Sequence, residues 1–222
     1  MKVGVLFSGG KDSTYACYLA KKAGHEIECL INVVSANKES FMFHTPAANL
    51  VRKQAELMGI PLVIRETEGV KEEELRDLMR VIEKTKVKYN LKGIVTGALA
   101  SEYQASRIGE ICRQFKLECI NPLWGKNQTE LLKEILKNKF EVIISGVAAF
   151  PLDRKWIGKP INEKFIEETT KLQEKYGINP AGEGGEFESL VLDCPLFSKR
   201  MGVKLMDIVG EGNSWTGIFE EK

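Results

Sequence analysis

The sequence predicts an α/β fold: a doubly wound, parallel five-stranded sheet followed by a smaller α+β domain. Three observations carry this. Apolar runs too short for helices alternate through the first half with amphipathic stretches of helical period. The first run, Val3 to Phe7, leads directly into Ser8-Gly9-Gly10-Lys11-Asp12-Ser13, a glycine turn that opens a helix. The alternation then stops at Asn121-Pro122-Leu123-Trp124-Gly125. Strands alternating with helices make a parallel sheet covered on both faces, and the break places the domain boundary between 1–124 and 125–222.

After the first strand, Tyr15, Tyr18 and Leu19 mark the first helix. Ile27 to Val34 reads as the second strand, and Ala47, Leu50, Val51 and Leu57 as the buried face of the second helix. Pro61 to Ile64 is the third strand, and Leu75, Leu78, Met79 and Ile82 line a long charged helix. Gly93 to Thr96 is the fourth strand, Ile108, Ile111, Cys112 and Phe115 a helix stripe, and Leu117 to Ile120 the fifth strand. Beyond the boundary come a helix through Leu131 to Leu136, a strand from Val142 to Val147 and a helix through Phe165, Ile166 and Leu172. Short strands follow at Leu190 to Leu192, Lys204 to Val209 and Thr216 to Phe219. No internal repeat or low-complexity segment interrupts this order.

With 43% hydrophobic and 28% charged residues, 222 residues supply ample core for a soluble fold. The net charge of +1 argues against a dedicated nucleic-acid surface. No apolar run reaches the ~18 residues of a membrane span, and the chain opens on a strand with no signal-peptide pattern. Five scattered cysteines without a C-x-x-C pair, and only two histidines, argue against zinc and fit reduced thiols in a cytoplasmic protein. The 26 Glu and 24 Lys against five Asp and five Gln lean towards a thermophilic source.

The hexapeptide Ser8 to Ser13 has the makings of an anion site. Glycines let the backbone approach closely, the free N–H groups of a helix start point outward, two hydroxyls flank them and Lys11 adds charge. A plain turn with Asp12 or Ser13 as helix cap is the simpler alternative. The stretch matches neither the G-x-x-x-x-G-K-[ST] loop nor the G-x-G-x-x-G fingerprint.

Three further stretches stand out. After the fourth strand and Gly97, Ser101 and Gln104 form a capping-box pattern, while Tyr103, Gln104 and Arg107 share one helix face suited to recognising a carboxylate or phosphate. In His44-Thr45-Pro46, Thr45 as N-cap and Pro46 at the first helical position account for two residues, leaving His44 as a candidate nucleotide or substrate contact. Asn179 to Ser189 threads Glu183, Glu186 and Glu188 through glycines just before an apolar strand. That arrangement suits a binding loop, though glutamates in a solvated loop are the commoner case.

Ser8 to Ser13 resembles the SGGKDS signature of the PP-loop ATP pyrophosphatases. That resemblance implies a HUP-like sheet of order 3-2-1-4-5 and cleavage of ATP between the α and β phosphates. Ligands then belong at the carboxyl ends of the strands, where the loops beginning at Ser8 and Gly97 meet. Together with S-x-Y-Q-x-x-R from Ser101 to Arg107, the Asn-Pro-Leu-Trp-Gly connection and Gly-Glu-Gly-Gly-Glu-Phe-Glu-Ser, the whole chain is similar to the diphthine:ammonia ligase family. Ser189 stands where many relatives would carry Thr.

The resemblance implies ATP-dependent amidation, with ammonium, of diphthine on translation elongation factor two, through an acyl-adenylate. It implies ATP and Mg²⁺ as cofactors, with Ser8, Gly9, Gly10, Lys11, Asp12, Ser13, Gly97 and His44 around the nucleotide. Lys11 would neutralise charge near the α phosphate and Asp12 would help hold the metal. Ser101, Tyr103, Gln104, Arg107, Glu183, Glu186 and Glu188 are the candidate substrate contacts, with Tyr103 or Phe187 offering a ring to the quaternary ammonium of diphthine. Two other readings stay open. A tRNA-thiolating enzyme would need reactive cysteines and a basic surface, whereas Cys112 and Cys119 read as core. A non-catalytic nucleotide-binding module would share the fold. The sequence leaves a homodimer open.

Overall fold

A computed structural model describes residues 1–35, 48–67, 71–100 and 102–222. The chain divides into two compact units, one comprising Met1–Ser8 with Asp12–Trp124, the other Gly9–Lys11 with Gly125–Lys222.

The first unit is built on five parallel strands, β1 (Lys2–Leu6), β2 (Glu26–Ser35), β3 (Leu62–Thr67), β4 (Gly93–Val95) and β5 (Glu118–Ile120). Their order, β3-β2-β1-β4-β5, is the one the resemblance implies. The helices are α1 (Lys11–Lys22), α2 (Ala48–Met58), α3 (Lys71–Tyr89) and α4 (Glu102–Gln114). The central strands β1 and β4 are apolar because helices cover both faces, and Val3, Val5, Ile94 and Val95 are fully buried. On one face, Cys29, Ile31 and Val33 of β2 alternate toward Leu78, Val81 and Ile82 of α3 and Ile108, Ile111 and Cys112 of α4. Each such side chain contributes roughly 1.5–3 kcal/mol by leaving water. The expected stripe on α2 is present in Leu50, Val51 and Leu57, while Ala47 lies outside the described residues. The third strand runs three residues further than the apolar run because its second half, Arg65 to Thr67, continues the parallel pairing with Val33 to Ser35.

The second unit carries an antiparallel sheet of order β7-β6-β9-β8, formed by β6 (Glu141–Val147), β7 (Phe187–Asp193), β8 (Val203–Glu211) and β9 (Ser214–Glu221). Helix α5 (Gln128–Lys137) is capped by Asn127, whose side chain accepts from Glu130 N. Helix α6 (Glu163–Tyr176) is capped by Asn162 and ends on Gly177 at φ 73°, the left-handed conformation a C-cap needs. Strand β7 starts three residues earlier than its apolar run. Glu188 and Ser189 therefore belong to a strand, where side chains alternate between faces, and the glycine loop ends at Glu186.

Candidate active site

The phosphate-type loop is fixed from several directions. Phe7 N–H donates to Ile31 O at 2.8 Å, extending the β1–β2 pairing by one residue. Asn32, buried on β2, donates from Nδ2 to Phe7 O at 2.7 Å. Ser8 N–H donates to Ser13 Oγ at 3.2 Å and the two hydroxyl oxygens lie 3.1 Å apart. Gly9 adopts φ 81°, which favours glycine, and α1 begins at Lys11. Gly97 is required for packing: a Cβ there would lie 2.8 Å from both Asp12 C and Ser13 N, inside the first turn of α1. After β4, Thr96 Oγ1 donates to Asn121 Oδ1 at 2.6 Å and accepts from Ala98 N–H at 3.2 Å.

Gly9 to Lys11 belongs to the same unit as β7 and is held by it. Lys11 N–H donates to Ser189 Oγ at 3.1 Å, and Val191 N–H donates to Gly9 O at 3.3 Å. Lys11 is only 3% exposed, and its Nζ lies 5.3 Å from the centre of the Phe187 ring. That ring packs edge-on against Phe165, which packs edge-on against Trp156.

The acidic stretch is organised by Glu186. Its Oε1 accepts from Asn179 N–H and Asn179 Nδ2, both at 2.8 Å, and its Oε2 accepts from Gly184 N–H at 2.8 Å. The glycines serve this fold directly. Gly182 and Gly185 have φ 74° and 83°, and a Cβ on Gly184 would lie 2.8 Å from Glu186 Oε1. From α5, Gln128 donates to Asn179 Oδ1 and accepts from Ala181 N–H, each at 3.0 Å. Where a direct substrate contact was expected, the Glu186 carboxylate is turned into its own loop. Phe187, expected to offer a ring to substrate, is buried and faces Lys11. Glu183 and Glu188 are half-buried, Glu188 next to Gly146 on β6.

His44 and Ser101 lie outside the described residues, as do the side chains of Tyr103 and Gln104 on α4. Arg107 is half-buried on the same helix. Asn32 and Gln128 belong to none of the motifs in the sequence. Asn32 is a polar residue inside an apolar strand, a signal that was present and unused, whereas Gln128 looks like any residue of a first helical turn.

Among the thiols, Cys29 and Cys194 are pushed up to about 12 by burial. The Cys112 thiol hydrogen-bonds Cys119, which holds Cys119 below the ordinary thiol range and Cys112 well above it. Among the described residues no three His, Cys, Asp or Glu side chains converge as a metal site, and no helix is long and apolar enough to cross a membrane. The chemistry these residues offer is electrostatic: the hydroxyls of Ser8 and Ser13 in the first unit and the buried Lys11 in the second, at the start of a helix, are groups of the kind that meet an anion.

The diphthamide synthase N-terminal domain family matches residues 1–119 and the diphthamide synthase C-terminal domain family residues 127–220. A diphthine–ammonia ligase of Bos taurus is 35% identical over 230 residues, covering 94% of this chain and 85% of that protein. The diphthine–ammonia ligase of Saccharomyces cerevisiae is 31% identical over 94% of this chain and 35% of that protein. A tRNA-specific 2-thiouridylase of Helicobacter pylori is 36% identical over 64 residues, 29% of this chain and 18% of that protein. With both domain families matched in order and relatives aligned over nearly its full length, the chain belongs to the diphthine–ammonia ligase (diphthamide synthase) family.

Proposed function

We propose that the protein uses ATP to amidate diphthine on translation elongation factor two, giving diphthamide. The diphthine carboxylate attacks the α phosphorus and pyrophosphate leaves, forming an acyl-adenylate. Ammonia then attacks the acyl carbon, AMP departs with the former carboxylate oxygen, and a proton is released. The observation that carries this reading is the constrained Ser8–Ser13 loop in a chain that matches the family across both halves.

The donor set fits the triphosphate. Ser8 and Ser13 would hold its pyrophosphate portion, and Lys11 would oppose charge developing near the α phosphate. Mg²⁺ needs no protein cage, since it keeps waters and takes one or two carboxylates with phosphate oxygens. Asp12, the carboxylate of the loop, suits that role, and the ion would neutralise phosphate charge. Residues 1–124 would bind the nucleotide and 125–222 the substrate. Glu183 and Glu188 are the carboxylates we assign to the diphthine cation, Glu186 shaping their loop, with Tyr103, Gln104 and Arg107 as further contacts. The protein is read as cytoplasmic, using free ammonium.

Release of AMP and pyrophosphate from ATP, Mg²⁺ and ammonium should depend on elongation factor two carrying diphthine, and not occur with the unmodified factor. Release without that dependence would redirect the reading to tRNA or a small acid, and no release would leave a binding module.

A further inference from the structure

We infer that Ser189 is a positioning residue for the phosphate loop, strand β7 acting as the template against which Gly9 to Lys11 takes its shape. This rests on the reading that the loop holds the pyrophosphate portion of ATP.

Among the described residues strand β7 is the outermost of its sheet, and no strand of theirs pairs with one edge of its backbone. Gly9 to Lys11 occupies that edge: Val191 N–H reaches Gly9 O, and the Ser189 hydroxyl accepts from Lys11 N–H. Phe187, two residues before Ser189 and so on the same face of the strand, lies beneath the Lys11 ammonium. Residues 187, 189 and 191 thus hold the loop at a side chain, an N–H and a carbonyl.

A Gly-Gly turn has more backbone freedom to lose than any other dipeptide, and its shape has to be imposed by neighbours. The Lys11–Ser189 bond is buried, with the two residues 3% and 8% exposed, so deleting the hydroxyl leaves a backbone donor without that acceptor in a place water does not reach. Lys11 opens α1, and rotation of its peptide would redirect the N–H groups of the helix start. A threonine at 189 keeps the oxygen and suits a strand.

The test compares wild type with S189T, S189V and S189A by calorimetric titration with α,β-methylene-ATP and with AMP, in the presence of Mg²⁺. Threonine and valine are nearly isosteric, so that pair isolates the hydroxyl. S189T should bind the analogue within about twofold of wild type, and S189V and S189A about tenfold or more weakly, with AMP affinity changed less than about twofold in all three. Equal binding of the analogue by S189V and S189T overturns the inference, and so does a parallel loss for AMP, which marks general damage. Absence of analogue binding in wild type removes the ATP reading itself. A measurement without substitution stands beside these: the Lys11 amide should exchange with solvent far more slowly than exposed loop amides, and fast exchange overturns the inference even if the variants do not fold.

Discussion

Glu186 and Asn179 are joined twice, Glu186 Oε1 accepting at 2.8 Å from both the backbone and the side-chain nitrogen of Asn179. A carboxylate that takes both N–H groups of one residue, and a third from Gly184, closes a loop in which the glycines supply no side-chain contacts of their own. Glu183 is carried on that closed loop.

Replacing Glu186 with Gln puts an NH₂ group where a carboxylate oxygen accepts from one or two N–H donors. E186Q should lower unfolding stability by about 1–3 kcal/mol, a larger loss than E183Q causes. Urea unfolding of the two variants checks this. Equal stability of both would return Glu186 to the set of direct substrate contacts.

Asn32 anchors the residue before Ser8. N32D places a carboxylate against Phe7 O in a buried strand, so it should destabilise more than N32A, which loses a bond worth about 1 kcal/mol. Both should raise the KM for ATP relative to that for ammonium. Steady-state kinetics with each substrate varied in turn would expose a purely global effect as an equal change in both.

At Gly97 the obstacle to a side chain is backbone, which cannot swing aside. G97A should cost about 1–3 kcal/mol and reduce AMP release from ATP by more than about tenfold by displacing Asp12 and Ser13. Near wild-type turnover in G97A would mean that α1 tolerates the shift.

Acid should loosen the edge of the first unit through Asp77. Hydrogen bonds from Arg65 Nε and Nη2 at 3.2 and 2.7 Å, opposed by burial, hold this carboxyl below the usual carboxylate range. Its contribution is complete above the unfolded value of about 3.9 and is lost as pH falls through the lower folded value. Urea midpoints taken from pH 7 to pH 2 should therefore fall more steeply below about pH 4 for wild type than for D77N. Parallel curves would remove Asp77 from the acid response.

Cys119 should alkylate at lower pH than an ordinary thiol, because the Cys112 S–H stabilises its thiolate. C112A should move that midpoint upward, while Cys29 and Cys194 stay unreactive near neutrality. C112A and C119A should retain AMP release driven by diphthine and ammonium. Loss of turnover in either would favour sulfur-transfer chemistry.

Most of the fold was legible because its signals are local. A strand buried on both faces reads as an apolar run and a covering helix as a stripe, whichever partners they meet, and Ser8 to Ser13 is contiguous. The misreadings share one cause. Strands β3 and β7 extend beyond their apolar cores because backbone pairing is indifferent to side-chain polarity, so the polar residues Arg65 to Thr67 and Glu188 to Ser189 break the apolar run before the pairing ends, leaving Phe187 cut off from it.

By itself, then, the sequence determined the alternating α/β architecture and the family. Which partners each side chain meets was decided only in three dimensions. Whether a glutamate meets solvent, substrate or its own backbone depends on where the N–H groups lie. Glu186 was turned inward by Asn179 and Gly184, and Gln128 was brought to Asn179 across 51 positions. Ser189 reached Lys11 across 178 positions, a hydrogen bond that neither residue type nor local spacing encodes.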